Sequence, residues 1–207
     1  MRNHSRRLLP LLAVIFMVVA MLSTTAFAVI DDPQAAIDTL KRIESTYGVY
    51  ACLGNHDAGA TFASMEDFLG RAGIRLLKDE SVVIDERLVL AGRLDSRPIG
   101  NAGALKRGDI LGVLKGADTS LPVVVMDHNP ANADAYNGEV DLVLSGHTHK
   151  GQVFPGSLIT NAMYTVDYGY HRAENGMQTV VSSGVGTWGP PLRVGSNCVI
   201  VKLDLRF

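Results

Sequence analysis

Two imidazoles lie two residues apart in Gly146-His147-Thr148-His149-Lys150-Gly151-Gln152, directly after the apolar run of residues 140–144. Neutral imidazole is the commonest protein ligand for a metal ion. If the apolar run is a buried strand, Gly146 lets the backbone turn sharply at its end. Alternate side chains then point the same way, and His147 and His149 aim at one place. Taken alone, the stretch reads equally as a polar loop that holds two histidines, because a short motif is only a hypothesis until its context agrees. Two other stretches supply that context. Gly54-Asn55-His56-Asp57 follows the apolar residues 49–53, and Asp127-His128-Asn129-Pro130 follows the apolar residues 121–126. Four of the six histidines therefore stand at three strand ends, where an open α/β sheet gathers distant residues into one cleft. This placement favours a metal site. Singly, Asn55 and Asp57 also read as caps of the helix after Gly59, and His128 as a loop residue before a proline turn.

The elements that must position these residues alternate between helix and strand. Asp32 and Pro33 read as N-cap and first helical residue, and Ile37, Leu40 and Ile43 recur at helical spacing until Gly48. Phe62, Met65, Phe68 and Leu69 form one face of a second helix that stops at Gly73. Short strands are expected over residues 74–77, 82–84, 88–91, 121–126, 140–144, 179–181 and 199–205. Residues 95–120 are rich in Gly, Asp, Ser and Lys and read as solvated surface, with one short helix over 109–114. Arg193 reads as a solvated or ion-paired arginine. Tyr164, Tyr168, Tyr170 and His171 fit a cleft wall or a turn-rich surface.

The chain of 207 residues suffices for one domain with a real core plus an appended segment. Its 19 basic and 21 acidic residues give a net charge of -2, and no basic stripe is available for a nucleic-acid partner. Cys52 and Cys198 each lie in an apolar run and read as small buried hydrophobes. Residues 1–28 differ in kind from the rest. Arg2, Arg6 and Arg7 precede the uncharged residues 8–28, which end in Ala26-Phe27-Ala28. This layout suits a cleaved export signal or a retained membrane anchor, and it leaves residues 29–207 as the domain. Either way the domain is expected at the cell membrane or exported.

In this order, Gly54-Asn55-His56-Asp57, His128 two residues before Pro130, and Gly146-His147-Thr148-His149 resemble the second half of the calcineurin-like metallophosphoesterases. Lys150-Gly151-Gln152 and Gly186-Thr187-Trp188-Gly189 are similar to bacterial membrane-linked members. The resemblance implies an α/β sandwich of mixed sheets flanked by helices, here N-terminally truncated and preceded by a hydrophobic helix. It also implies that Asn55, His128 and His147 bind one divalent ion and His149 a second, the ions being manganese, iron or zinc. Two such ions clamp a phosphate and hold a hydroxide that attacks phosphorus in line with the leaving alkoxide. His56 would protonate or stabilise the leaving group, with Asp57 orienting it. A phosphorylated small molecule or a lipid head group is the implied substrate.

The family's first half carries an Asp-x-His and a Gly-Asp-x-x-Asp that complete the metal site, and no Asp-x-His occurs in these 207 residues. Ala28 stands where the bridging aspartate is expected. Without that carboxylate, one ion has three neutral ligands and the other a single histidine, so at most one weakly held ion is expected. Phosphoester hydrolysis is then weighed against a catalytically inactive, membrane-tethered remnant or binding fragment. A lone structural zinc site fits less well, since Asn is an unusual ligand for one and no cysteine is near.

Overall fold

The first helix begins where the sequence places a cap. Asp32 Oδ1 accepts hydrogen bonds from the Gln34 and Ala35 amides, both at 3.0 Å, and Pro33 occupies a position whose N–H would have no helical partner. The computed structural model describes residues 32–59, 61–100, 105–136 and 138–206, together with the backbone of Leu12–Val14. In chain order the elements are β1 (Leu12–Val14), α1 (Pro33–Leu40), β2 (Val49–Ala51), α2 (Phe62–Arg71), β3 (Ile74–Leu76), β4 (Glu80–Ile84) and β5 (Leu88–Gly92). These are followed by α3 (Ile110–Val113), β6 (Val123–Met126), β7 (Leu142–Ser145), α4 (Gly156–Met163), β8 (Gly169–Arg172), β9 (Gln178–Val181) and β10 (Leu203–Leu205). Single 3-10 turns occupy Pro130–Ala135 and His149–Gly151.

A six-stranded sheet in the order β4-β5-β6-β7-β9-β8 forms the frame. Strands β5, β6, β7 and β9 are parallel, and the edges β4 and β8 are antiparallel to their neighbours. Side chains alternate between its faces as a period of two requires. Val89, Ala91, Val123, Val125 and Val143 pack with Ile110, Val113, Leu114 and Tyr136 on one face. Leu88, Leu90, Val124, Met126, Leu142 and Leu144 pack on the other with Cys52 and Leu77, joined by Tyr50, Leu203 and Leu205. Strands β2 and β3 pair in parallel as a small second sheet. Ile37 of α1 and Met65, Phe68 and Leu69 of α2 pack against its Ala51 and Ile74. Mixed sheets between helices are the expected α/β architecture.

Four expectations are corrected. At Leu12–Val14 the expected hydrophobic helix gives way to a strand antiparallel to Leu203–Leu205, and the rest of residues 1–31 lies outside the described residues. Among the described residues no helix is long and apolar enough to cross a membrane. Cys52 is buried as expected, whereas Cys198 is exposed, and the closing strand is only Leu203–Leu205. Residues 95–120 are not uniformly solvated. Asp95 is buried, and Arg107 donates to the fully buried Asp127 at 2.6 Å. The pair works because Tyr136, Arg93 and Asn132 complete a hydrogen-bonded cluster around the Asp127 carboxylate, which leaves no unpaired charge.

Candidate metal centre

The carboxyl ends of parallel strands put three loops side by side. Strand β2 runs into Asn55, β6 into His128 and β7 into His147, and β6 and β7 are adjacent in the sheet. The Gly146 amide donates to the His128 carbonyl at 3.0 Å and ties two of the loops together. His128 Nε2 lies 3.1 Å from Asn55 Oδ1 and 3.1 Å from His147 Nδ1. Two cis ligands at a bond length of about 2.1 Å are about 3.0 Å apart, and both distances from His128 Nε2 have that spacing. Among the described residues no three His, Cys, Asp or Glu side chains form such a group. The third donor here is an amide oxygen.

The His147-x-His149 geometry differs in its cause from the sequence expectation. Strand β7 ends at Ser145, and the chain then winds through left-handed backbone at His147 (φ 68°), His149 (φ 52°), Lys150 (φ 54°) and Gln152 (φ 51°). Side chains rarely tolerate this region, and such strain gathers at functional sites. A tight turn, not strand alternation, brings both rings to the same cleft. His149 Nε2 is buried and has no hydrogen-bond partner. Its other ring nitrogen, Nδ1, lies 3.3 Å from the Arg193 guanidinium, and the Gly186 carbonyl is a further hydrogen-bond neighbour of the ring.

Burial keeps all four rings neutral at pH 7, the form that ligates metal. His128 is pushed down to about 3 by burial and then by the neighbouring His147, His149 and His56. His149 is pushed down to about 4 by burial and then by Arg193. His147 and His56 are lowered as well, chiefly by burial. His56 lines the cleft beside His147 and His149, and Asp57 is buried behind it. Neither Asn55 nor Asp57 is the N-cap of α2, which is Thr61.

Sequence reasoning missed several supports. Gly54 is a close approach: a Cβ there would lie 2.7 Å from His128 Cε1. Arg193 is half-buried and has no ion pair among the described residues; its guanidinium donates to the Ser183 carbonyl at 2.6 Å and to the Gly186 carbonyl, and it sits 3.3 Å from His149 Nδ1. Tyr164 stands edge-on to His147 with centroids 6.2 Å apart, and burial raises its pKa against the opposing charge of Arg97, which is also near His147. Tyr168 lies under the Lys150 ammonium, while Tyr170 and His171 are exposed. None of these contacts has a local sequence signal, except that glycine at 54 sits inside the motif. The cleft holds about 480 Å³, and its lining includes Asn55, His56, His147 and His149 together with Ile99, Ile159 and Trp188.

Residues 29–151 match the family model described as calcineurin-like phosphoesterase. A metallophosphoesterase of Aquifex aeolicus is 38% identical over 168 residues, which is 81% of this chain and 64% of that protein. One from Campylobacter jejuni is 33% identical over 84% of this chain and 46% of its own length. A Danio rerio protein named as a transmembrane protein with metallophosphoesterase domain is 28% identical over 84% of this chain and 42% of its own length. The chain thus spans from under half to about two thirds of the length of these curated relatives. Three strand-end loops that bring an amide oxygen and imidazole nitrogens to cation spacing, and a family match that includes all three, place this chain in the calcineurin-like phosphoesterase family.

Proposed function

We propose that residues 29–207 carry part of a metal-dependent phosphoesterase site, acting on a phosphorylated small molecule or a lipid head group. Asn55, His128 and His147 would hold one divalent ion, and His149 is left for a second. The observation that carries this reading is the 3.1 Å convergence of Asn55 Oδ1, His128 Nε2 and His147 Nδ1 beside the unpartnered His149 Nε2. A bound manganese, iron or zinc ion supplies positive charge for the phosphoryl oxygens. His56, neutral and at the same cleft, offers a ring N–H to the leaving oxygen, and Asp57 orients that ring. The name of the Danio rerio relative supports a membrane-linked setting, whereas Leu12–Val14 pairs with Leu203–Leu205 as part of the fold.

A second reading is a fragment that binds one ion and no longer turns over. The donor set favours it, being neutral throughout. Binding a cation at His128 Nε2 moves the ring proton to Nδ1, which is buried without a partner, and that cost weakens the site. Equilibrium dialysis against Mn²⁺ is expected to give one weakly held equivalent, lost in His147→Ala. Hydrolysis of bis(p-nitrophenyl) phosphate that disappears in the same variant supports the phosphoesterase; binding with no turnover supports the fragment. Two tightly held equivalents refute the half-site.

A further inference from the structure

Besides the candidate metal ligands, the cleft lining includes three exposed apolar side chains, Ile99, Ile159 and Trp188. Trp188, the only tryptophan in the chain, is 57% exposed, Ile99 50% and Ile159 59%. Each is anchored to the loops that hold the donors. The buried Gln152 spends both ends of its amide on the backbone of Trp188: Nε2 donates to the Trp188 carbonyl at 2.6 Å, and Oε1 accepts the Trp188 amide at 2.5 Å. Gln152 does so from left-handed backbone, three residues after His149. The Ile99 amide donates to the Asn55 carbonyl at 2.7 Å, and Gly59 passes so close that a Cβ would overlap the Ile99 carbonyl oxygen at 1.7 Å. Ile159 stands on α4, which buries none of its side chains and is seated by close contact between Gly151 and Ser157.

The remaining polar side chains of the lining are already engaged. Thr160 Oγ1 donates to the Asp167 carboxylate at 2.9 Å, and Thr148 Oγ1 donates to the Asp167 carbonyl at 2.6 Å. With the Gln152 amide also engaged, the wall has little to offer a sugar or other hydroxyl-rich group. It offers apolar area to whatever hangs from a phosphate held at the histidines.

The geometry points to a phosphoester whose ester group beside the phosphate is apolar, alkyl or aryl, packed against Trp188, Ile99 and Ile159. Gln152 is the positioning residue that holds Trp188 in place. This inference rests on the phosphoesterase reading.

Calorimetric titration of the full chain, loaded with Zn²⁺, with methyl-, butyl- and hexylphosphonate tests it. Affinity is expected to rise about threefold per added methylene in this partly open cleft, with a shift of Trp188 emission and displacement by inorganic phosphate. The gradient is expected to collapse in Trp188→Ala and persist in Trp188→Phe. In Gln152→Ala it also collapses, and Trp188 emission moves toward that of a solvated indole while the melting profile stays cooperative. Sedimentation with phosphatidylcholine vesicles carrying phosphatidic acid separates the two sources of such an ester. Retention that depends on phosphatidic acid and on Trp188 supports a membrane lipid; a chain left in solution with its gradient intact supports a soluble ester. Methylphosphonate binding with no gradient in the wild type overturns the inference and leaves the phosphoesterase reading standing. Failure of every phosphonate and of phosphate to bind overturns both.

Discussion

The ring of His128 meets that of His147 edge-on, with centroids 4.9 Å apart, an interplanar angle of 80°, and Nε2 of the first 3.1 Å from Nδ1 of the second. The buried His128 and the half-buried His147 share that contact, and Asn55 Oδ1 reaches the same His128 nitrogen.

The first prediction concerns charge at this point. Asn55→Asp keeps the oxygen in place and replaces a neutral donor by a carboxylate, so affinity for Mn²⁺ is expected to rise by about tenfold or more, since ligand charge tunes divalent-ion binding. Equilibrium dialysis checks it, and unchanged affinity would show that Asn55 Oδ1 is not a ligand.

Stability should depend on pH in a defined direction. The folded protein holds His128 at about 3 and His149 at about 4, whereas the unfolded chain protonates both near 6.5. Below pH 6.5 the unfolded state therefore binds more protons, and stability of the metal-free protein falls as pH falls. The loss is fully absent above the unfolded value and reaches at most about 1.4 kcal/mol per histidine for each pH unit. Urea midpoints measured from pH 7.5 down to pH 5 should decline; a flat series would mean that these rings are solvated.

Gly54→Ala places a Cβ 2.7 Å from the His128 ring, which cannot retreat because it is buried. Overpacking of this kind costs about 1–3 kcal/mol. A lower thermal midpoint together with weakened metal binding is expected, whereas Gly70→Ala, in open space on α2, should leave metal binding as it was.

Asp127 accepts hydrogen bonds from Arg107, Tyr136 and Asn132 with no exposed surface. Asp127→Ala leaves the Arg107 guanidinium without its partner and should cost about 3–5 kcal/mol, read as a reduced urea midpoint. Arg107→Met, which leaves the carboxylate buried and unpaired instead, should cost a similar amount.

The donors themselves were legible because each follows a short apolar run. Residues 49–53, 121–126 and 140–144 read as buried strands from their composition, and Asn55, His128 and His147 are the first polar side chains after a glycine or an aspartate at their ends. The cap at Asp32 and the helical face of Phe62, Met65, Phe68 and Leu69 were equally plain, since both are local. Strand β8 and helix α4 were not read from the sequence: β8 is an exposed edge, and the apolar Leu158, Ile159 and Met163 of α4 are exposed, so they join no core that the pattern could announce.

By itself the sequence determined which groups could bind a cation, the strand ends that carry them, and the family, because these depend on residue type and short spacing. Only the tertiary structure decided that Asn55, 73 residues from His128, comes within 3.1 Å of it, because strand order and sheet packing set that distance. The same holds for the pairing of Arg107 with Asp127, the clamp of Gln152 on Trp188, and the turn that aims His149. Each is a long-range contact or a left-handed backbone state whose energy comes from distant partners, and no local period records it.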